Sequence, residues 1–181
     1  HNMSVVTQRE IGQDTDSYVT GLRAALRQAP DVILLGEMRD AETIRTAITA
    51  AETGHTIIAT MHTKGAVNAI DRVIDSFSAS HQAQIRFLLA TVLRTVVSQQ
   101  MLPDINGNMI PAFEIMHINS AIRGMIRDNK NHQIDNAIIA GKAEGMISMD
   151  QSILNLYHEG LITKETALNY ADHPEQMMRH L

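Results

Sequence analysis

Two short apolar runs on either side of a helical pattern restrict the fold of this chain more than any other feature. The runs lie in DVILLGE (31–37) and TIIATMH (56–62), and each is bounded by residues that favour turns. Apolar runs of this length are typical of strands buried on both faces. The sequence between them has helical spacing, with Asp40 as a candidate N-cap and Gly54 at its end. Strand, helix and strand within about 30 residues predict a βαβ unit with parallel strands.

Parallel pairing brings the carboxyl ends of both strands to one edge of the sheet, where open α/β sheets usually bind ligands. Glu37 and His62 end the two segments, so they are predicted to face the same crevice. Glu37 could orient or deprotonate a water for attack on a phosphate, although a strand-end acid is more often simply solvated. His62 could donate a hydrogen bond to a phosphate oxygen, although a lone strand-end histidine is more often structural.

A second histidine and several arginines lie close to these segments. His55 precedes His62 by seven residues, roughly 20 Å in an extended strand, so the two cannot share a metal ion without a sharp bend. Guanidinium groups pair well with phosphate oxygens, within a subunit or across to a neighbour. They could equally balance acidic residues on solvated helix faces. The arginines in the first quarter of the chain are Arg9, Arg23, Arg27, Arg39 and Arg45.

The composition excludes several classes of protein. Of the 181 residues, 44% are hydrophobic and 19% are charged, which is typical of a globular domain. A net charge of -5 and the lack of tryptophan argue against a nucleic-acid-binding surface with a stacking platform. The chain has no cysteine, which excludes disulfides and thiolate zinc sites. No apolar run approaches the length of a membrane span, so no membrane insertion is expected.

The rest of the pattern predicts further helices and one hairpin. A first helix follows the possible caps in 15–17 and ends at Pro30, and two more helices are predicted over 66–77 and 80–100. Two short strands in 101–116 flank an Asn106-Gly107 turn, and the pattern is helical from Asn119 onwards. We therefore expect an α/β part over 1–118 and a small helical part over 119–181. Within the latter, SAIRGMIRD (120–128) is amphipathic with a basic stripe, suited to an acidic partner or simply to solvent.

One motif that phosphate chemistry usually needs is missing. No G-x-x-x-x-G-K-[ST] sequence occurs, and no glycine-rich turn links a strand to a helix in the first thirty residues. A chain with an acid for water but without a phosphate-binding loop has half of a hydrolase site. The sequence alone thus leaves open a fragment of an enzyme and a protein that never binds nucleotide.

Four segments in order resemble the type II/IV secretion and type IV pilus ATPases, and most closely the branch that powers pilus retraction and twitching motility. The segments are the later part of an Asp box in QREIGQDT, a Walker B in VILLGEMRD, a His box in GHTIIATMHT, and AIRGMIRD, which is similar to the AIRNLIRE element of retraction ATPases. The last differs from the family at Gly124, Met125 and Asp128. The resemblance runs from Val5 to Glu165. Pilus-assembly relatives tend to carry a four-cysteine zinc site, so the absence of cysteine favours retraction.

The resemblance implies a fold and roles for particular residues. The fold would be the C-terminal part of a RecA-like P-loop ATPase core with a helical C-terminal tail. Glu37 would be the Walker B acid that activates water, and His62 would sense the γ-phosphate, with His55 in a supporting role in nucleotide binding. Phosphate-contacting arginines would come from the region of Arg9, Arg23 and Arg27. The family uses ATP and Mg²⁺, and it works as a cytoplasmic hexameric ring at the inner face of the membrane, attached through the inner-membrane platform of the pilus.

The sequence departs from the family at its beginning. Family members carry a PAS-like domain, a Walker A loop and the start of the Asp box before this point, and residues 1–6 resemble the natural continuation of that sequence. We therefore expect the C-terminal part of a longer protein, which by itself binds ATP poorly and hydrolyses little of it. Two alternatives remain at this stage. One is a secretion or pilus-assembly ATPase, and the other is a non-catalytic module for oligomerisation or docking.

Overall fold

The computed structural model describes residues 3–181, which form two compact units, His1–Met61 and His62–Leu181. The interpretation of residues 1–6 as family sequence rests partly on His1 and Asn2, which lie outside the described residues. The boundary predicted between residues 118 and 119 falls inside the second unit and stays a prediction. Among the described residues, no helix is both long enough and apolar enough to cross a bilayer.

The first unit is the predicted βαβ element with one helix before it. It contains α1 (Tyr18–Leu26), β1 (Val32–Leu35), α2 (Ala41–Glu52) and β2 (Thr56–Ala59). The strands pair in parallel from Val32 opposite Thr56 to Leu35 opposite Ala59. Ser17 caps α1, and Asp40 caps α2 by accepting a hydrogen bond from the Thr43 backbone N–H. Gly54, with φ of +101°, follows α2 in the left-handed region that glycine adopts without strain. The predicted βαβ unit and both boundaries of α2 are confirmed, whereas α1 ends at Leu26 and not at Pro30.

The two strands are buried on one face only, so the prediction that both faces are buried is wrong. Ile33 and Leu35 pack into a core with Leu22 of α1 and Ala47 of α2. The alternate residues Val32 and Leu34 are 54% and 70% exposed, and Ile58 of β2 is 50% exposed. Successive side chains of a strand point to opposite faces, and the helices of this unit cover only one of them. An apolar run in a sequence shows which residues can be buried, but it does not show which element packs against them.

The second unit combines a long hairpin with seven helices among the described residues. Its first helices are α3 (Ala66–Asp75) and α4 (Ala79–Val92), followed by the strands β3 (Thr95–Pro103) and β4 (Met109–His117). The hairpin turn is confirmed: Gly107 has φ of +84°, and Asp104 Oδ1 accepts from the backbone N–H groups of Asn106 and Asn108, both at 2.8 Å. The later helices are α5 (Ser120–Arg127), α6 (Ile134–Ala140), α7 (Met149–His158), α8 (Lys164–Tyr170) and α9 (Pro174–Met177).

The helix predicted over 80–100 ends early, so that prediction is wrong beyond Val92. The chain turns at Leu93 and enters β3, which pairs antiparallel with β4 from Thr95 opposite His117 to Pro103 opposite Met109. Thr95, Val96 and Val97 are β-branched and favour a strand when a partner is available. The hairpin buries Leu102 and Ala112 against Met149 and Ile153 of α7. Tertiary pairing therefore decides the state of a segment whose spacing also suits a helix.

Candidate functional site

Glu37 lies just beyond the carboxyl end of β1. Hydrogen bonds join the segment that follows β1 to the segment that follows β2. The Gly36 carbonyl accepts a hydrogen bond from Thr60 Oγ1. The Met38 backbone N–H donates to the Thr60 carbonyl at 3.1 Å. Glu37 thus stands between two residues that are both tied to the chain leaving β2. These bonds fix its backbone at the sheet edge that the parallel topology predicts.

The Glu37 carboxylate is sheltered and paired. Its side chain is 17% exposed, and Oε2 accepts from Arg39 Nε at 2.6 Å and lies 2.5 Å from Arg39 Nη2. The hydrogen bond and charge of Glu37 raise the pKa of the Arg39 guanidinium above its usual value. Charge-assisted bonds of this kind orient a carboxylate. An oriented carboxylate at a sheet edge can position a water or, when it is ionised, take a proton from that water.

His62 opens the second unit, three residues after β2 ends, and its side chain is exposed. The loop that follows it leads into α3 and is held at several points. The Lys64 ammonium pairs with Asp172 Oδ1 at 2.7 Å, and the Lys64 carbonyl accepts from Asn68 Nδ2 at 2.7 Å. The predicted convergence of His62 with Glu37 stays a prediction.

His55 lies at the opposite end of the strands from Glu37. It directly precedes β2, whose first residue donates its N–H to the Asp31 carbonyl before β1. Its Nδ1 is 3.2 Å from both the Ala50 carbonyl and Thr53 Oγ1, at the end of α2. The structure therefore does not bring His55 to the edge that carries Glu37. In this unit the imidazole helps to close the α2 to β2 turn.

The three predicted phosphate-binding arginines all lie near α1 but have different surroundings. Arg9 lines a shallow, polar depression with the 12–16 turn and the exposed side of α1. Arg23 Nη2 lies 3.5 Å from Glu42 Oε1, and both side chains are 67% exposed, so this pair contributes little to stability. Arg27 is exposed and is the C-cap of α1. Arg23 thus fits the alternative of a balanced, solvated helix face, and no arginine is singled out by its geometry.

A buried carboxylate in the second unit was missed by the sequence reasoning. Glu114 of β4 is 6% exposed and accepts a hydrogen bond from the Ala66 backbone N–H at 2.7 Å, at the start of α3. One signal could have indicated it. Ala112, Glu114 and Met116 alternate along β4 and are all buried, so the glutamate occupies an inward position of a strand.

Comparison with known proteins identifies the family of the chain. The family model described as "Type II/IV secretion system protein" matches residues 2–167. The chain belongs to this family. The type II/IV secretion family match spans most of both units, including Glu37, His62 and Glu114.

Individual relatives place the chain near pilus motors. It is 45% identical over 175 residues to a twitching motility protein of Neisseria gonorrhoeae, covering 96% of this chain and 47% of that protein. It is 46% identical over 171 residues to the type IV pilus retraction ATPase PilT of Pseudomonas aeruginosa, covering 94% of this chain and 50% of that protein. A more distant relative, type II secretion system protein E of Klebsiella pneumoniae, is 39% identical over 102 residues, 56% of this chain and 19% of that protein.

A solved structure confirms the predicted fold class. The crystal structure of the pilus retraction motor PilT with bound ADP superposes with a TM-score of 0.87 at 43% identity, covering 97% of this chain and 49% of that one. The α/β ATPase fold predicted from the sequence is therefore confirmed. The chain spans about half the length of the twitching motility protein and of the pilus retraction ATPase that it matches.

Proposed function

We propose that this chain is part of an ATP-hydrolysing motor that powers retraction of a type IV pilus. The observation that carries the proposal is its 45–46% identity, over 94–96% of the chain, to a twitching motility protein and to a pilus retraction ATPase. The secretion relative supports the choice of branch, because it matches only 56% of the chain. The cytoplasmic location, the hexameric ring and the attachment to a pilus platform in the inner membrane belong to the same proposal.

In this proposal Glu37 orients the attacking water and accepts its proton. Support comes from the sheltered position of the carboxylate, from its pairing with Arg39, and from the hydrogen bonds that fix Gly36 and Met38 on either side. An acid held in this way does not reorganise when the reaction occurs. His62 would hydrogen-bond the γ-phosphate of ATP, and one of Arg9, Arg23 and Arg27 would contact phosphate oxygens. His55 would support the fold of the β2 segment.

The substrate would be ATP, bound with Mg²⁺. The phosphate-binding loop is absent from the 181 residues, so it would have to come from the rest of the protein. Within residues 3–181 no group of three or more histidine, aspartate or glutamate side chains could hold a metal ion. The role proposed for Glu37 concerns the attacking water.

The test is phosphate release by the protein expressed from its complete reading frame. We expect Glu37→Gln to lower ATP turnover at least about a hundredfold, because an amide can accept a hydrogen bond but cannot take a proton from water. ATP binding, measured separately with a labelled nucleotide, should persist. The matched control is Glu42→Gln, which removes an exposed acid of α2 that pairs only weakly with Arg23. Release at the wild-type rate by Glu37→Gln would contradict the assigned role.

Two further outcomes separate the alternatives. Phosphate release by the wild-type protein excludes a non-catalytic oligomerisation or docking module, whereas no release with correct folding would favour it. Deletion of the gene should abolish twitching and leave protein secretion intact. Loss of secretion with normal twitching would instead indicate a secretion ATPase.

A further inference from the structure

The N-terminal ends of two helices converge on one buried carboxylate, Glu114. Its Oε1 accepts from the N–H of Ala66, the first residue of α3, at 2.7 Å. The backbone N–H of Met149, the first residue of α7, also interacts with it and favours its ionised form. The start of a helix presents unpaired N–H groups and a partial positive charge. Glu114 thus supplies one negative charge to two helix starts that are far apart in sequence.

The surroundings of Glu114 act on its pKa in opposite directions. Burial raises the pKa of Glu114 above its usual value, and the nearby charges of Asp135 and Asp172 raise it further. The hydrogen bonds from the two helix starts lower the pKa, because they favour the ionised side chain.

Glu114 does fix the end of the loop that carries His62. Gly65 is the N-cap of α3, has φ of +83°, and provides no side chain to cap the helix. The Glu114 carboxylate takes the place of that cap, with Oε1 only 3.7 Å from where a Cβ of Gly65 would lie. Three residues of chain then separate the anchored Ala66 from His62. The position of the anchor limits where the imidazole can lie.

A second link joins the same loop to the C-terminal helices. Lys64 pairs with Asp172, which follows α8. Asp150 of α7 accepts from the backbone N–H groups of Asp172 at 2.7 Å and His173 at 3.1 Å. Helix α7 therefore reaches the loop twice, through Glu114 at its first residue and through Asp150 at its second.

We propose that Glu114 is a positioning residue for His62. It holds the loop 62–65 in a fixed position relative to the starts of α3 and α7. The inference rests on the proposed function, because it assumes that His62 acts on bound ATP. Glu114 itself does not touch the substrate. It acts by fixing the chain that presents the imidazole, and through α7 it connects that imidazole to the helical C-terminal region.

The test compares Glu114→Gln with Ser98→Ala in the protein expressed from its complete reading frame. Ser98 is the buried residue opposite Glu114 in the hairpin register, so its variant controls for a lost polar group at the same depth. We expect Glu114→Gln to lower kcat by about ten- to a hundredfold with KM for ATP changed less than about twofold. Its unfolding midpoint should fall by no more than about 2 °C. Ser98→Ala should keep kcat within about twofold of wild type.

A double variant separates positioning from a general structural effect. In a His62→Ala background, Glu114→Gln should cause no further loss of kcat, since the residue through which it acts is gone. Multiplied losses in the double variant, or an unfolding midpoint that falls together with kcat, would overturn the inference. If Glu114→Gln does not fold, Glu114→Asp takes its place. It keeps the charge and shortens the reach, and the same loss and non-additivity are expected.

Different results would contradict the proposed function and the role of Glu114. If His62→Ala and Glu37→Gln both turn over ATP at the wild-type rate, the proposed function itself is wrong. If His62→Ala lowers turnover while Glu114→Gln does not, the function stands and the role of Glu114 is wrong.

Discussion

The four residues between Gly36 and Ala41 have four different surroundings. Glu37 turns into the protein and pairs with Arg39, while Met38 packs on the core between α1 and α2. Asp40 caps α2 through the Thr43 N–H at 2.8 Å and the Thr43 hydroxyl at 2.8 Å. The proposed catalytic acid is thus followed directly by a residue that contacts the core and, three positions along the chain, by a helix cap. Its orientation depends on neighbours that have no chemical role.

Asp40 provides a test of this support through the pH dependence of stability. Hydrogen bonds from Thr43 lower the pKa of Asp40 below its usual value. The unfolded chain then binds the proton more tightly, so the stability that Asp40 contributes is fully present above its unfolded pKa, near 4. It is lost as the pH falls through the lower pKa of the folded state. We expect Asp40→Ala to lower the free energy of unfolding by about 1 kcal/mol at pH 7.

The measurement is urea unfolding at several pH values between neutrality and pH 3. Asp40→Asn is the matched control, because asparagine also caps helices and does not titrate. It should keep most of the stability at pH 7, and its stability should fall less between pH 5 and pH 3 than that of the wild type. An Asp40→Ala protein as stable as wild type at pH 7 would show that the cap does not hold α2.

Residues with local partners could be predicted from the sequence, and those with distant partners could not. Ser17, Asp40 and Gly54 act within their own turn, so the residue type and its place beside a helical pattern were sufficient. Predicting the position of Glu37 required one further inference, namely that the two strands pair in parallel. Glu114 bonds to Ala66, 48 residues away, and no local pattern contains that relationship.

Among the elements, α4 and β3 show where periodicity misleads. The apolar spacing suits a helix as far as Gln100, but the chain leaves the helix after Val92 because β4 offers a pairing partner for the β-branched residues 95–97. A side chain from α5 secures this change. Arg123 Nη1 donates to the carbonyls of Ala90 at 2.8 Å and Thr91 at 3.0 Å, at the end of α4. Part of the basic stripe seen in the sequence is therefore used inside the unit.

We expect the two arginines of α5 to differ in their contribution to stability. Arg123→Ala removes two charge-assisted bonds and leaves the last carbonyls of α4 unpaired, so unfolding free energy should fall by about 1–2 kcal/mol. Arg127 pairs with its neighbour Asp128 at 3.1 Å, and its side chain is 56% exposed. Arg127→Ala should change the free energy by less than about 0.5 kcal/mol. Equal effects in chemical denaturation would contradict the assignment of Arg123 to the end of α4.

At the scale of the whole molecule, each unit buries one face of its strands and leaves apolar residues exposed on the other. The second unit buries Leu102 and Met116 almost completely, while Val97 and Met109 of the same hairpin are 57% and 55% exposed. The first unit likewise covers one face of a two-stranded sheet. The family match spans both units, so membership of the family does not depend on either one. The element order could be predicted from the sequence. The exposed face of the sheet could not, because an apolar pattern does not show which element packs against it.

The exposed sheet face gives a prediction for the 181-residue chain. Leu34 is 70% exposed and Leu35 is 5% exposed, although they are adjacent in β1 and chemically identical. We expect Leu35→Ala to lower the free energy of unfolding by about 2–5 kcal/mol, because it opens a cavity between the sheet and its helices. Leu34→Lys should change it by less than about 0.5 kcal/mol.

Leu34→Lys should also reduce self-association of the chain, since it places a charge within an exposed apolar patch formed with Val32 and Ile58. Urea unfolding and light scattering on the same samples measure both effects. The comparison of the two adjacent leucines is decisive, because both variants alter the same strand at side chains that point to opposite faces. A Leu34→Lys protein as unstable as Leu35→Ala would mean that β1 is buried on both faces, as its sequence suggests. The finding that the sheet is buried on one face only would then be incorrect.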